Sequence, residues 1–292
     1  MEWDAEWEVT DALARALIDP LVSVRELARF GEGWDNVAYR VNHTWVFRFP
    51  RRSIAVPLLE VEARVLPQLP PLPLPIPRPA FVGKPSEAFP HPFVGYRMLP
   101  GATACTLTLS RVERALFAAP LAEFLKALHA ALPIRGLPGD EFGRMDIAKR
   151  LEQASERFRE LIDEGHLRSL EPWEASLADA PVDYTPRSDA LCHGDLYERH
   201  LLVEDGRLSG VIDWGDVHQG DPAVDLSLAH RLLPSDSLDA FRHAYGDVPE
   251  ATWRAARFRA LHHSVACLRY AIAEGDCDLE RTTRWALQNL AE

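Results

Sequence analysis

The sequence predicts an α+β fold in two unequal parts: a small antiparallel sheet with one main helix over residues 1–99, and a larger, mostly helical part over residues 100–292. Three observations carry this reading. Between Ser23 and Arg52 apolar residues alternate and are interrupted by glycine and asparagine turn signals, the pattern of half-buried strands. Beyond Ser110 the apolar spacing changes to three and four residues, the period of helices that bury one face. Between them stands Pro100-Gly101, a pair that punctuates rather than continues an element. A chain of 292 residues has room for about two domains, and the division falls at that pair.

In chain order, residues from about Trp3 to Ile18 carry helical apolar spacing that stops before Pro20. The run from Ser23 to Arg52 then reads as strand, glycine turn, strand, tight turn at Asn42-His43, strand: an antiparallel meander. In the last of these strands, Trp45–Phe49, alternation puts Val46 and Arg48 on one face and Trp45, Phe47 and Phe49 on the other. A helix follows, with Leu58, Val61, Val65 and Leu69 as its apolar stripe, Glu60 and Glu62 among them, and Pro67 to end or bend it. PPLPLPIPRP is a stiff extended connection. A loop, KPSEAFPHP, separates two further strands, the second being Phe93–Met98. In the second part, Ser110 and Glu113 have capping-box spacing, and Leu121, Phe124, Leu125, Leu128 and Leu132 mark a buried helix face. Another helix runs from Asp146 to Leu161 with Gly165 as its stop; two short strands meet at Glu204-Asp205-Gly206; and the chain is helical from Leu226 onward.

Composition narrows the function. Hydrophobic residues at 47% and charged residues at 26% are those of a globular chain with a sizeable core. A net charge of −12 without a basic stripe excludes nucleic acid and anionic membrane as partners, and favours a cationic over an anionic small ligand. Among the acidic groups that would attract an amine are Glu274, Asp276 and Asp278, set against their ordinary use as a solvated helix end. The four cysteines are widely spaced, with no metal or disulfide pattern, and no apolar run approaches a membrane span. These features predict a cytoplasmic protein with reduced thiols, a monomer or weak dimer.

The stretch Leu191–Asp225 is where chemistry concentrates. It sets His193, Asp195, His200, Asp213, Asp216, His218, Asp221 and Asp225 among apolar strands, where ionisable groups are costly unless they serve a site. Asp195 and Asp213 are 213 − 195 = 18 residues apart, room for a strand, a turn and a strand, so both can emerge at neighbouring strand ends. Read alone, the histidines and aspartates could also be drawn as a two-metal hydrolase site.

The ordered series Gly31-Glu32-Gly33, FRFPR, YRMLPG, FLKALHA, HGDLYERHLLV, IDWGD and GDPAVDL resembles the aminoglycoside and macrolide phosphotransferases, enzymes with a two-lobed protein-kinase-like fold. The resemblance covers nearly the whole chain. It implies transfer of the γ-phosphate of ATP or GTP to a hydroxyl of a small molecule, an antibiotic or a related metabolite, with Mg²⁺, or Mn²⁺, as cofactor. It implies Asp195 as catalytic base and Asp213 as metal ligand. Gly31, Gly33 and Asn36 would form the phosphate loop, with Asn36 at a position where positive φ is tolerable. Val46 would face the nucleotide, Arg48 the phosphates, and Glu62, ahead of Glu60, would pair with Arg48. Arg97, Met98 and Leu99 would offer backbone groups to the base. His193 and Asp221 would support the loop, and Asp216 would approach metal or acceptor.

One departure stands out. Most of the family has asparagine five residues after the base, whereas this chain has His200, as in the macrolide enzymes. His200 would ligate metal or hold Asp195, and an imidazole is softer than an amide oxygen. The arginine and histidine replacements also leave open a nucleotide-binding pseudokinase.

Overall fold

The computed structural model describes residues 5–33 and 35–292. Helix α1 (Asp11–Ile18) starts where Thr10 Oγ1 accepts the Leu13 N–H at 3.3 Å. The expected start at Trp3 lies outside the described residues, and the described residues before Thr10 are not helical. They are tied to the sheet instead: the Trp7 indole donates to Pro50 O at 2.6 Å and the Tyr39 hydroxyl to Val9 O at 2.7 Å.

The sheet comprises β1 (Leu27–Glu32), β2 (Asn36–Val41) and β3 (Trp45–Pro50), then, after helix α2 (Ala55–Val65), β4 (Pro79–Gly83) and β5 (Phe93–Arg97). Its order is β1-β2-β3-β5-β4, antiparallel throughout. The β2–β3 turn places both Asn42 and His43 at left-handed φ, 51° and 55°, the geometry that matches strand twist. The Asn42 side chain fixes it by accepting from the Arg25 and Glu26 amides. Alternation along β3 sends Phe47 and Phe49 into a core with Tyr39 and Phe93, leaving Val46 and Arg48 on the opposite face.

On α2 the buried stripe is Leu59, Glu62 and Val65; Leu58 and Val61 are only half-buried. The helix is turned relative to its apolar pattern because Glu62 is drawn inward by Arg48 and Tyr96, an electrostatic demand that outweighs one leucine. The proline-rich connection is more than a spacer. Leu74 and Ile76 are buried in the main core, Pro75 O accepts the Val211 N–H at 2.9 Å, and Arg78 Nη1 donates to the carbonyls of Leu66 and Leu69.

The second part begins with β6 (Ala102–Thr103), followed by α3 (Arg111–Ala115), α4 (Ala118–His129), α5 (Ile147–Asp163), α6 (Glu174–Ala178) and β7 (Ala190–Cys192). Then come β8 (Leu201–Glu204), β9 (Arg207–Val211), β10 (His218–Gly220), α7 (Ala223–Leu232), α8 (Leu238–Tyr245), α9 (Glu250–Glu274) and α10 (Cys277–Ala291). The Ser110–Glu113 capping box forms in full, and Asp205-Gly206 closes the β8–β9 hairpin with φ of 50° and 71°. Leu121, Phe124, Leu125 and Leu128 of α4 are wholly buried, each stabilising the fold by about 1.5–3 kcal/mol. Among the described residues no helix is long and apolar enough to cross a membrane.

Candidate active site

The loop after β7 is held from beneath by Asp225, in the first turn of α7. Its carboxylate accepts the His193 N–H at 2.7 Å and the Gly194 N–H at 2.9 Å, and meets His129 Nε2 at 3.2 Å. Burial pushes this carboxyl upward, but His129, His193 and the loop amides pull harder and leave it at about 2, ionised. The family resemblance implied that Asp221, with His193, supports the loop; the structure divides the work differently. Asp221 accepts from the Tyr184 hydroxyl, the Arg187 N–H and the Ala223 N–H, tying the approach to β7 to the start of α7. Gly194 has φ of 92°, and a Cβ there would lie 2.3 Å from Asp216 O, so only glycine fits the turn.

His193 packs under the loop against Trp214, donates from Nε2 to Ile212 O at 3.0 Å and faces the Asp195 N–H with Nδ1 at 3.4 Å. Burial lowers its pKa, which keeps the ring neutral. Both nitrogens are therefore engaged, and His193 has no lone pair for a metal. His218 spends Nδ1 on Asp216 O at 2.8 Å, so of the set His193, Asp195, His200, Asp213 and His218 that could be drawn as a two-metal hydrolase, neither His193 nor His218 contacts the other three as a ligand group would.

Asp195, His200, Asp213, Arg48 and Glu62 do converge, from both parts of the chain. Arg48 Nη1 reaches Glu62 Oε2 at 3.0 Å while its Nη2 reaches Asp213 Oδ1 at 2.5 Å. The other Glu62 oxygen accepts the Tyr96 hydroxyl at 2.7 Å, and Glu60 is exposed on the far side of α2. Burial raises the Glu62 carboxyl, with Arg48 opposing. For Asp213 burial also acts upward, but Arg48 and then His200 outweigh it and hold the carboxyl at about 2. Asp213 sits at left-handed φ, 64°, a strained conformation for a residue with a Cβ, which turns its side chain back toward the cleft.

The His200 tautomer follows from its partners. Nδ1 lies 2.6 Å from Asp195 O, a group that only accepts, so Nδ1 carries the proton. Nε2 then faces Asp213 Oδ2 at 3.4 Å, an ion pair when the ring is protonated and a second ligand atom beside the carboxylate when it is not. This donor set, one imidazole nitrogen and one carboxylate oxygen beside the Asp195 loop, fits a divalent ion.

The glycine turn differs in detail from expectation. Neither Gly31 nor Gly33 has positive φ, and the Gly33 N–H is spent on Asn36 O at 2.9 Å. Asn36 is extended, as the first residue of β2, not left-handed, because it pairs with Pro50 across the hairpin. Its buried Oδ1 has no partner. Next to it Asp35 bonds Arg52 at 3.2 Å; burial raises its carboxyl, Arg52 opposes, and the charges of Asp213 and Asp195 add to the rise. Val46 shares the cleft face with Arg48 and lies opposite Tyr96 on β5. At the end of β5, Arg97 is exposed, and the Met98 N–H already donates to Thr44 O at 2.7 Å, which removes it as a donor to a base; Leu99 is half-buried.

Asp216 is gripped by Arg144, which also bonds Asp140 at 2.7 Å and, through Nε, Gly194 O at 3.0 Å. Burial and then the charge of Asp195 raise the Asp216 carboxyl to about 6. Sequence reasoning missed Arg144 and His263. His263 Nε2 lies 3.5 Å from Asp195 Oδ1, while Arg231 Nη1 lies 3.1 Å from His263 Nδ1. A guanidinium only donates, so Nδ1 accepts and Nε2 carries the hydrogen, with Cys267 Sγ and the Asp195 carboxylate each 3.5 Å away. The only sequence signal was a pair of adjacent histidines in an apolar helix.

The family pattern that matches residues 26–259 is described as the phosphotransferase enzyme family. An aminoglycoside 3'-phosphotransferase of Streptomyces fradiae is 33% identical over 132 residues, 44% of this chain and 48% of that relative. The chain thus spans about half the length of the curated relatives it matches. Among solved structures, the GDP and kanamycin complex of APH(2")-IIia superposes with a TM-score of 0.67 at 25% identity, covering 94% of this chain and 97% of that one. The apoenzyme of macrolide 2'-phosphotransferase MphH from Brachybacterium faecium gives 0.59 at 26% identity, with 95% and 98% covered. With the protein-kinase-like architecture and the converged charged set, the match over residues 26–259 establishes that this chain belongs to the phosphotransferase enzyme family.

Proposed function

We propose that this protein transfers the γ-phosphate of ATP or GTP to a hydroxyl of a small molecule, in the class of aminoglycoside- or macrolide-type antibiotics or a related metabolite. The observation that carries this is Arg48 binding Glu62 and Asp213 at once, within one cluster with His200 and Asp195. Phosphoryl transfer needs such an arrangement: cationic contacts for phosphate oxygens and a carboxylate aimed at the attacking hydroxyl. The relatives named for aminoglycoside and macrolide phosphorylation, and the GDP and kanamycin of one neighbour, support the substrate classes.

Asp195 accepts the acceptor's hydroxyl proton as the new P–O bond forms, while the bond to the bridging oxygen of the β-phosphate breaks and releases the nucleoside diphosphate. Its carboxylate is oriented for this by the braced loop and by the His263 ring beside it. Asp213 and His200 would hold Mg²⁺, or Mn²⁺, which when bound neutralises phosphate charge. Arg48, fixed by Glu62, contacts phosphate oxygens beneath the turn formed by Gly31, Gly33 and Asn36. Val46 lies against the nucleotide, and backbone groups of Arg97 and Leu99 flank the base. The division is residues 1–99 for nucleotide and 100–292 for catalysis and acceptor, in a cytoplasmic monomer or weak dimer. A nucleotide-consumption screen over aminoglycosides, macrolides, amino alcohols and sugars tests the proposal, with Asp195→Ala as control. Turnover that Asp195→Ala abolishes is expected; full turnover by that variant would refute the mechanism.

A further inference from the structure

We infer that, of the acceptors proposed above, the protein takes the metabolite and not the aminoglycoside, and that this acceptor carries a carboxylate or similar compact anion, bound at a cationic cluster between α5 and α9 on the side of Asp195; this rests on the phosphotransferase reading. Arg150 and Arg157, two turns apart on α5, present one helix face. Arg259 and His262 approach it from α9. Arg157 Nη1 lies 3.1 Å from His262 Nε2, and Arg259 Nη1 lies 3.4 Å from His262 Nδ1. A neutral imidazole has one accepting nitrogen, and guanidinium groups only donate, so one of these contacts sets donor against donor.

No internal anion resolves this. Among the described residues Arg150, Arg157 and Arg259 form no ion pair with a carboxylate; Arg150 is spent on the carbonyls of Gly143 and Phe142 and on Gln153. By contrast Arg144, Arg199, Arg231 and Arg269 each meet one. Arg259 is only 9% exposed and its buried Nε has no partner. An unpaired buried cation is costly in any protein, and here the chain has 44 acidic residues to draw on against 32 basic ones.

Net charge predicted a cationic ligand, but screening confines charges to a range of about 8 Å, so the local set decides. Two of the acidic residues proposed to attract an amine are already paired, Asp276 with Arg199 and Asp278 with Arg281. His263, next to His262, reaches Asp195, and Asp195 is the charge that most favours the protonated Arg259. A molecule holding its anionic group at Arg157 and Arg259 would extend its hydroxyls toward the base, so a hydroxy acid suits this cluster where a polyamine is repelled.

The test is calorimetric titration of the full chain, loaded with Mg²⁺ and a non-hydrolysable nucleotide analogue, with D-gluconate, D-glycerate and kanamycin as probes. Nucleotide consumption is measured with the same three. At least one hydroxy acid is expected to bind and to be turned over, and Arg259→Met and the half-buried Arg157→Met each to raise its Kd tenfold or more. Binding of nucleotide without either hydroxy acid, or phosphorylation of kanamycin alone, would overturn the inference while leaving phosphotransfer intact. A wild-type chain that binds no nucleotide would overturn both.

Discussion

Replacing Glu198 by leucine tests how the catalytic loop is supported. Glu198 and Arg231 have no exposed side-chain surface and meet through one bond of 2.8 Å, leaving Glu198 Oε1 and Arg231 Nε without partners. Burial favours the neutral arginine, and Glu198 more than reverses this. Glu198→Leu strands a guanidinium in the core, which costs about 3–5 kcal/mol. That is a large share of a typical total stability of roughly 5–15 kcal/mol. The pair is poorly satisfied as it stands, so Glu198→Leu combined with Arg231→Met exchanges two desolvated charges for packing and should recover most of the loss. Urea unfolding followed by circular dichroism, on wild type, both single variants and the double variant, gives the coupling energy directly. A single variant within about 0.5 kcal/mol of wild type, or a double variant whose loss equals the sum of the singles, would refute the reasoning.

Two further outcomes follow. His263→Ala removes the imidazole that lies 3.5 Å from Asp195 Oδ1 and should lower kcat by roughly 10-fold, the scale of one polar contact to a charge, with KM for nucleotide unchanged; His263→Gln should restore part of it, and a His263→Ala enzyme with wild-type kcat would exclude the positioning role. His230 is buried with both ring nitrogens unpartnered and its pKa pushed by burial to about 3 from an ordinary 6.5. The unfolded chain therefore binds the proton first, so stability is whole above pH 6.5 and declines as pH falls toward about 3; His230→Phe should flatten that decline in thermal melts taken between pH 7 and 4, and an identical decline in the variant would refute it.

Local rules made much of the fold readable. Asn42-His43 and Asp205-Gly206 name their turns because few residues accept left-handed φ, and alternation in β3 separates Arg48 from Phe47 and Phe49. The convergence of Asp195 with Asp213 was legible because a single hairpin joins them. What the sequence could not reveal was set by packing between distant elements. His263 reaches Asp195 because α9 lies along α7, and Arg144 reaches Asp216 from the loop before α5; neither contact has a local signature. The stripe of α2 was misplaced because periodicity weighs leucine above glutamate, and the buried partners of Glu62 reverse that order.

The bond from Val211 to Pro75 has a mechanical consequence. The two parts of the molecule are joined covalently near Pro100, and this bond, seated in a stiff proline-rich segment, adds a tie two residues before Asp213. With Arg64 on Gly136 O, Gln68 on Arg135 O and Arg48 on Asp213 it belongs to a set of ties spread over the face between the parts, so the segment carrying Asp213 is held in register with the sheet that carries Arg48.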